Sequence, residues 1–136
     1  MKKFEILEHK ADLKIKVLGK NKEELFENAM IGMFEGANYE PTTNDKQLTT
    51  KIKISSIDLP SLLIDFLNEV LYFCETKKEI YQKVNFKKFS QNEIEGTLIG
   101  KKLKRMGVHI KAATYHNLEI KKNKAGFWQA VILFDI

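Results

Sequence analysis

The stretch that most constrains this chain is its last, Gly126-Phe127-Trp128-Gln129-Ala130-Val131-Ile132-Leu133-Phe134-Asp135-Ile136. It is rich in β-branched and aromatic residues and contains no proline, which predicts a strand buried on both faces near the centre of a sheet. The strand closes on Asp-Ile. That ending sets a side-chain carboxylate and the α-carboxylate of Ile136 one residue apart at the lip of a hydrophobic core. Chain ends usually fray into solvent, and this one is too apolar to do so. Two anionic groups held there need a partner, either a cation or a set of hydrogen-bond donors.

Composition narrows the field. A chain of 136 residues, 43% hydrophobic and 30% charged, has the size and balance of one globular domain, residues 1–136. No apolar run reaches the roughly 18 to 20 residues of a membrane span, and no signal peptide opens the chain, so a cytoplasmic protein is expected. A single cysteine, Cys74, excludes an internal disulfide and a thiolate metal cage. It sits in Val70-Leu71-Tyr72-Phe73-Cys74, which predicts an inert core thiol. The net charge of +5 is carried by lysine, with Arg105 the only arginine. Readers of bases favour arginine for its planar fork. The cluster Lys101, Lys102, Lys104 and Arg105 therefore reads as a solvated loop, and no DNA partner is expected.

Along the chain, Leu13, Ile15 and Val17 alternate with Lys14 and Lys16, the period of a half-buried strand. After the turn Gly19-Lys20-Asn21, Asn21 and Glu24 have the spacing of a capping-box variant. Leu25, Phe26, Ala29, Met30, Met33, Phe34 and Ala37 then form one helical face. A looser segment from Tyr39 to Gln47 leads to a second alternating run at Thr50, Ile52 and Ile54. Asp58 caps a second helix with Pro60 in its first turn, and Leu62, Leu63, Phe66, Leu67, Val70, Leu71 and Cys74 demand burial against a sheet.

The two units match. Shifted by 37 positions, Ile15 falls on Ile52, Val17 on Ile54, Asn21 on Asp58, Leu25 on Leu62, Met30 on Leu67 and Phe34 on Leu71. This duplication predicts two helices side by side on one face of a continuous sheet. The rest reads as strands, Tyr81 to Phe89, Glu93 to Gly100, Val108 to Thr114, Leu118 to Lys122 and Phe127 to Phe134. The fold class is α+β, two helices packed on one face of a mostly antiparallel sheet.

Polar residues in awkward places carry the chemistry. Asp12 precedes a strand, where capping a turn would account for it equally well. Asp135 follows four apolar residues. If the strands bearing them are antiparallel neighbours, Asp12, Asp135 and the carboxylate of Ile136 converge, and three anionic oxygens repel unless a cation sits among them. Oxygen-only ligation suits calcium or magnesium rather than zinc. His9 reads as a donor behind the ligands rather than a ligand. In Ile110-Lys111-Ala112-Ala113-Thr114-Tyr115-His116, small residues allow close backbone approach, and Lys111, Thr114 and His116 present donors at a strand edge, a binding surface more readily than a triad. No phosphate-cradling glycine loop, nucleotide fingerprint or zinc spacing is present, which disfavours an independent enzyme.

His9-Lys10-Ala11-Asp12, Glu24-Leu25-Phe26-Glu27-Asn28-Ala29 with Gly32-Met33-Phe34, Asp58-Leu59 to Leu62-Leu63 with Phe66-Leu67-Asn68-Glu69, the run Ile110 to Ile120, and the closing Phe134-Asp135-Ile136 together resemble the archease family along the whole chain. The resemblance implies a fold of duplicated strand-helix-strand-strand modules. It also implies an activator, not an enzyme, that promotes guanylylation of the GTP-dependent tRNA-splicing ligase and so multiple turnover, meeting tRNA only indirectly. It carries a divalent cation site onto Asp12, Asp135 and Ile136, calcium first and magnesium or manganese as substitutes. Lys111, with His116 and His9, falls where contact with the ligase or its nucleotide is expected. A chaperone or modulator of RNA- or DNA-processing proteins, without metal chemistry, is the alternative. Lys10 departs from the family's usual threonine and adds a positive charge beside the expected cation. The basic run Lys101 to Arg105 departs from an acidic one.

Overall fold

A computed structural model describes residues 2–9 and 12–136, with the backbone alone at Glu8 and His9. Strand β1 (Phe4–His9) pairs antiparallel with β2 (Asp12–Gly19). In β2 the alternation holds strictly, with Leu13, Ile15 and Val17 fully buried and the lysines between them half-buried. Helix α1 (Lys22–Gly36) follows. The Asn21 side chain accepts from the Glu24 N–H at 2.8 Å, and the Glu24 carboxylate reaches back to the Lys20 N–H at 3.1 Å, one residue earlier than a standard capping box. All seven residues of the expected apolar face are buried.

The segment after α1 contains a two-residue strand, β3 (Glu40–Pro41), before β4 (Leu48–Ser55). Helix α2 (Leu59–Lys77) is capped by Asp58, which accepts from the Ser61 N–H at 2.8 Å, and ends at Lys78 in the left-handed region, φ 56. Its apolar face is buried from Leu62 to Cys74, as expected. Burial pushes the Cys74 thiol up to about 11, which keeps it protonated and inert.

Then come β5 (Glu79–Phe89), β6 (Glu93–Arg105), β7 (Ala112–Thr114), β8 (Lys121–Lys122) and β9 (Trp128–Asp135). Lys101 to Arg105 is thus a continuation of β6 rather than a loop, paired with β5 at Lys101 and Lys102 and with β3 at Leu103 and Arg105. β7 and β8 are shorter than expected because their flanks bond elsewhere. The Val108 N–H donates to the Ala37 carbonyl at 2.8 Å and the Ile110 N–H to the Tyr39 hydroxyl at 3.2 Å, while Asn117 turns at φ 52.

The fold is α+β with antiparallel pairing, and each βα unit contributes its strand to a different sheet, β2 as an inner strand and β4 as an outer one, so the hydrogen bonds divide the strands into two sheets rather than one. The first runs β1-β2-β9-β7 with β8 also on β9, and the second runs β3-β6-β4 with β5 also on β6. One outer strand of each sheet is hydrogen-bonded to a helix side chain. Glu27 of α1 accepts from the Val84 N–H on β5 at 2.8 Å. Asn68 of α2 accepts from the Ala113 N–H on β7 at 2.8 Å and donates to the Ala113 carbonyl at 3.2 Å, completing a ladder rung with a side chain. Buried Asn28 donates to the Leu18 carbonyl at 2.7 Å and holds α1 on β2.

Two irregularities in β5, between Tyr81 and Lys83 and between Phe86 and Lys88, lie against Gly100 and Gly96 of β6. A Cβ at either glycine would strike the β5 backbone, at the Ile80 carbonyl for Gly100 and the Asn85 carbonyl for Gly96. The close crossing therefore needs glycine twice.

Candidate functional site

β9 lies between β2 and β7, the central position its composition predicts. Only one of its faces is fully buried, however. Ala130, Ile132 and Phe134 point into the core, while Val131 and Leu133 on the opposite face are half-buried. The helices cover one side of this sheet, and among the described residues no helix or second sheet covers the other. Ile136 packs against the core, as its apolar character requires.

β2 and β9 run antiparallel in a register that sets Asp12 directly opposite Asp135. Across β9 from Asp12, Ala112 of β7 also stands opposite Asp135, and the Lys111 N–H donates to the Asp135 carbonyl at 2.8 Å. Directly opposite Cβ atoms in such a pair are about 4.5 to 5.5 Å apart, and like charges placed so are destabilising. Alternation puts both carboxylates on the uncovered face, Asp12 half-buried and Asp135 exposed. Among the described residues neither has a cationic nitrogen within 4.0 Å.

On the same face a concavity of about 440 Å³ is lined by Leu7, Asp12, Lys14, His116, Asn117, Val131 and Leu133. The Asn117 amide nitrogen lies 3.3 Å from His116 Nε2, so the imidazole is steadied by its neighbour, and the Thr114 hydroxyl donates to the Leu133 carbonyl at 3.1 Å. The fold thus brings Asp12, Asp135, Ile136 and Lys111 to one corner, with His116 on the wall of the adjoining concavity. The His9 backbone pairs with Leu13, but its side chain, like all of Lys10, lies outside the described residues.

Among the described residues no three His, Cys, Asp or Glu side chains gather as a ligand set. A cation at this corner therefore has two carboxylates and needs main-chain oxygen for the rest, with Ile136 adjacent. Two opposed carboxylates and carbonyl oxygen form a hard donor set, which fits calcium or magnesium and does not fit zinc.

Sequence reasoning missed Lys14 and Asn117, which face the same concavity. Lys14 was visible as an outward residue two positions from Asp12. Asn117 was visible only as a turn residue. A second polar group, Thr50, Glu79 and Tyr81, lies away from this corner. The Thr50 and Tyr81 hydroxyls donate to Glu79 Oε1 at 2.9 and 2.8 Å, and burial raises the Tyr81 hydroxyl well above its usual value, so it stays a donor. That group joins β4 to β5 and is structural.

Residues 4–136 match the family described as the Archease protein family (MTH1598/TM1083). A protein archease of Methanosarcina mazei is 35% identical over 144 residues, covering 99% of this chain and 97% of that protein. A protein archease of Sulfurisphaera tokodaii is 31% identical, with all of both chains covered. The crystal structure of an archease, possible chaperone, from Thermotoga maritima superposes with a TM-score of 0.70 over 97% of this chain and 96% of that one, at 22% identity, a likeness of fold. The solution structure of Methanobacterium thermoautotrophicum protein 1598 superposes with a TM-score of 0.70 at 29% identity, covering 100% of each.

Proposed function

The chain belongs to the archease family, and from that membership we propose that it activates the GTP-dependent tRNA-splicing ligase. It promotes guanylylation of the ligase, and so repeated turnover in joining tRNA exon halves, as a protein cofactor rather than an enzyme. Asp12, Asp135 and the main-chain oxygens of Ile136 hold a divalent cation, calcium first, with magnesium or manganese as substitutes. The observation that supports this reading is the β2–β9 register, which opposes two carboxylates at the uncovered end of the central strand. Such an arrangement costs stability unless a cation relieves it.

A divalent cation held by Asp12 and Asp135 would supply, when bound, positive charge against the triphosphate and the leaving pyrophosphate. The protein's own part is to hold the two carboxylates in register. The Lys111 N–H fixes the backbone of Asp135 from the β7 side, so that the strand end does not splay. The exposed Lys111 side chain then meets the ligase or its nucleotide, with His116 and His9 as further donors from the same end of the sheet.

The test is a reconstituted transfer of labelled guanylate from GTP to the ligase. Asp12→Ala and Asp135→Ala should each remove the stimulation while the protein stays folded. Unchanged ligase turnover with either variant overturns the reading. A chaperone without metal chemistry would leave stimulation insensitive to chelator. An independent hydrolase would act with the ligase absent.

A further inference from the structure

The outward face of the second sheet carries Lys51 and Lys53 on β4, Lys83, Lys87 and Lys88 on β5, and Lys101 on β6, against only Glu93 and Glu95. That leaves four excess positive charges on one face of a chain whose net charge is +5. The other basic and acidic residues of the chain nearly cancel. Both glutamates are already paired, Glu95 with Lys87 at 3.8 Å and Glu93 with Lys88 at 3.2 Å. Lys51, Lys53, Lys83 and Lys101 have no carboxylate within 4.0 Å among the described residues. Between the lysines stand Thr49, Thr97 and Asn85, small hydrogen-bond donors, and a shallow concavity of about 380 Å³ is lined by Lys51, Lys53, Lys87 and Thr97 together with Glu95, whose carboxylate is paired with Lys87.

Lysines on edge strands often serve only to block edge-to-edge pairing. That explains Lys51 and Lys53 on β4. It does not explain Lys101, which stands on the inner strand β6, or Lys83, whose neighbour Val84 already has its N–H engaged by Glu27. Nor does the face suit a protein partner, whose interface would centre on apolar and aromatic side chains and be poor in lysine. Among the described residues of this face only Ile99 is apolar, and Phe86 and Phe89 of β5 pack inward against the core. Insertion into a lipid surface would need an apolar face as well. What remains is a partner with evenly spaced negative charge along its length. Lysines two apart on a strand are separated by about 6.7 Å, close to the step between successive phosphates of a nucleic acid.

We propose that this open face of the second sheet binds the phosphate backbone of RNA, without reading its bases. Thr49, Thr97 and Asn85 add contacts to phosphate oxygens, and the absence of stacking aromatics and of arginine makes the contact independent of sequence. The choice of RNA over DNA rests on the ligase reading above, whereas the excess of lysine on this face stands without it. The face is separate from the Asp12–Asp135 corner, so the chain would meet the ligase with one sheet and steady its RNA substrate with the other.

The test is binding of a fluorescently labelled tRNA transcript to the full chain by anisotropy at several salt concentrations, with no ligase present. Wild-type binding should weaken steeply with salt. The triple variant Lys51→Glu, Lys53→Glu, Lys83→Glu should lose at least about tenfold in affinity, and its salt slope should fall by about 3, one for each phosphate contact removed. The corresponding Lys→Gln triple should lie between the two. Equal binding by wild type and the triple variant overturns the proposal. So does competition by polyglutamate or phosphatidylserine vesicles as effective as by unlabelled RNA. Asp135→Ala should bind RNA normally while losing ligase stimulation, so stimulation retained in that variant, with RNA binding intact, would count against the cation site alone.

Discussion

The two sheets are built alike and finished differently. Each follows a strand with a capped helix, and one outer strand of each is hydrogen-bonded to a helix side chain, β5 to Glu27 and β7 to Asn68. Their helix-covered faces are both mainly aliphatic and aromatic, although the second also buries Thr50 and Tyr81. Their outer faces are not. The first gathers two carboxylates at one end of its central strand, and the second spreads lysines across three strands. The duplicated interior settles the fold, and the outer faces are where the two halves part in chemistry.

The largest effect that would break this contrast is at the first sheet. Asp12→Ala or Asp135→Ala should lower cation affinity by more than the roughly 10- to 100-fold that losing an outer partner of a metal ligand costs, read by calorimetric titration. Metal-free stability should hold or rise slightly, since a like-charge pair is removed. The lysine variants of the second sheet should leave cation affinity unchanged.

The reciprocal clamps come next. Glu27→Ala and Asn68→Ala each leave a strand N–H without its partner, at a cost of about 1 to 3 kcal/mol in urea unfolding. Similar costs would sharpen the idea of two equivalent halves. A cost near zero at one of them would show that sheet edge closing on its own.

How far the sequence foretold these features depends on their range. Alternation in Leu13 to Val17 and the caps at Asn21 and Asp58 were readable because they are local, set by strand period and by a side chain reaching three residues along. The opposition of Asp12 and Asp135 was readable as a condition, needing only that two strands be antiparallel neighbours. The two sheets were not, because which strands pair is set by long-range contacts, as are the helix contacts of Glu27 with Val84 and Asn68 with Ala113, which span 57 and 45 residues. Neither pair has a sequence pattern. The half-open face of β9 was hidden for a related reason. Val131 and Leu133 are as apolar as core residues, and only the absence of a covering layer distinguishes them.

A smaller effect separates the two helix caps. Asn21→Ala should cost about 1 kcal/mol at any pH. Asp58 titrates, and its hydrogen bonds from Ser61 hold its carboxyl below the usual range. A carboxyl lowered in the folded state contributes stability above its unfolded value and loses it as pH falls through the folded one. Asp58→Asn should therefore flatten the acid limb of the stability curve, measured by urea unfolding from neutral pH downward, whereas Asn21 variants should not change its shape. Smallest of all, Arg105→Ala removes an exposed ion pair with Glu40 and should cost less than about 1 kcal/mol.

The most direct measurement is a calcium titration of the isotopically labelled protein followed by the amide resonances of Asp12 and of residues 111–114 and 128–136. The account predicts that Asp12, Lys111, Asp135 and Ile136 shift together and saturate at one equivalent, and that Asp135→Asn abolishes the response. Shifts confined to other regions, or an unchanged response in Asp135→Asn, would contradict it.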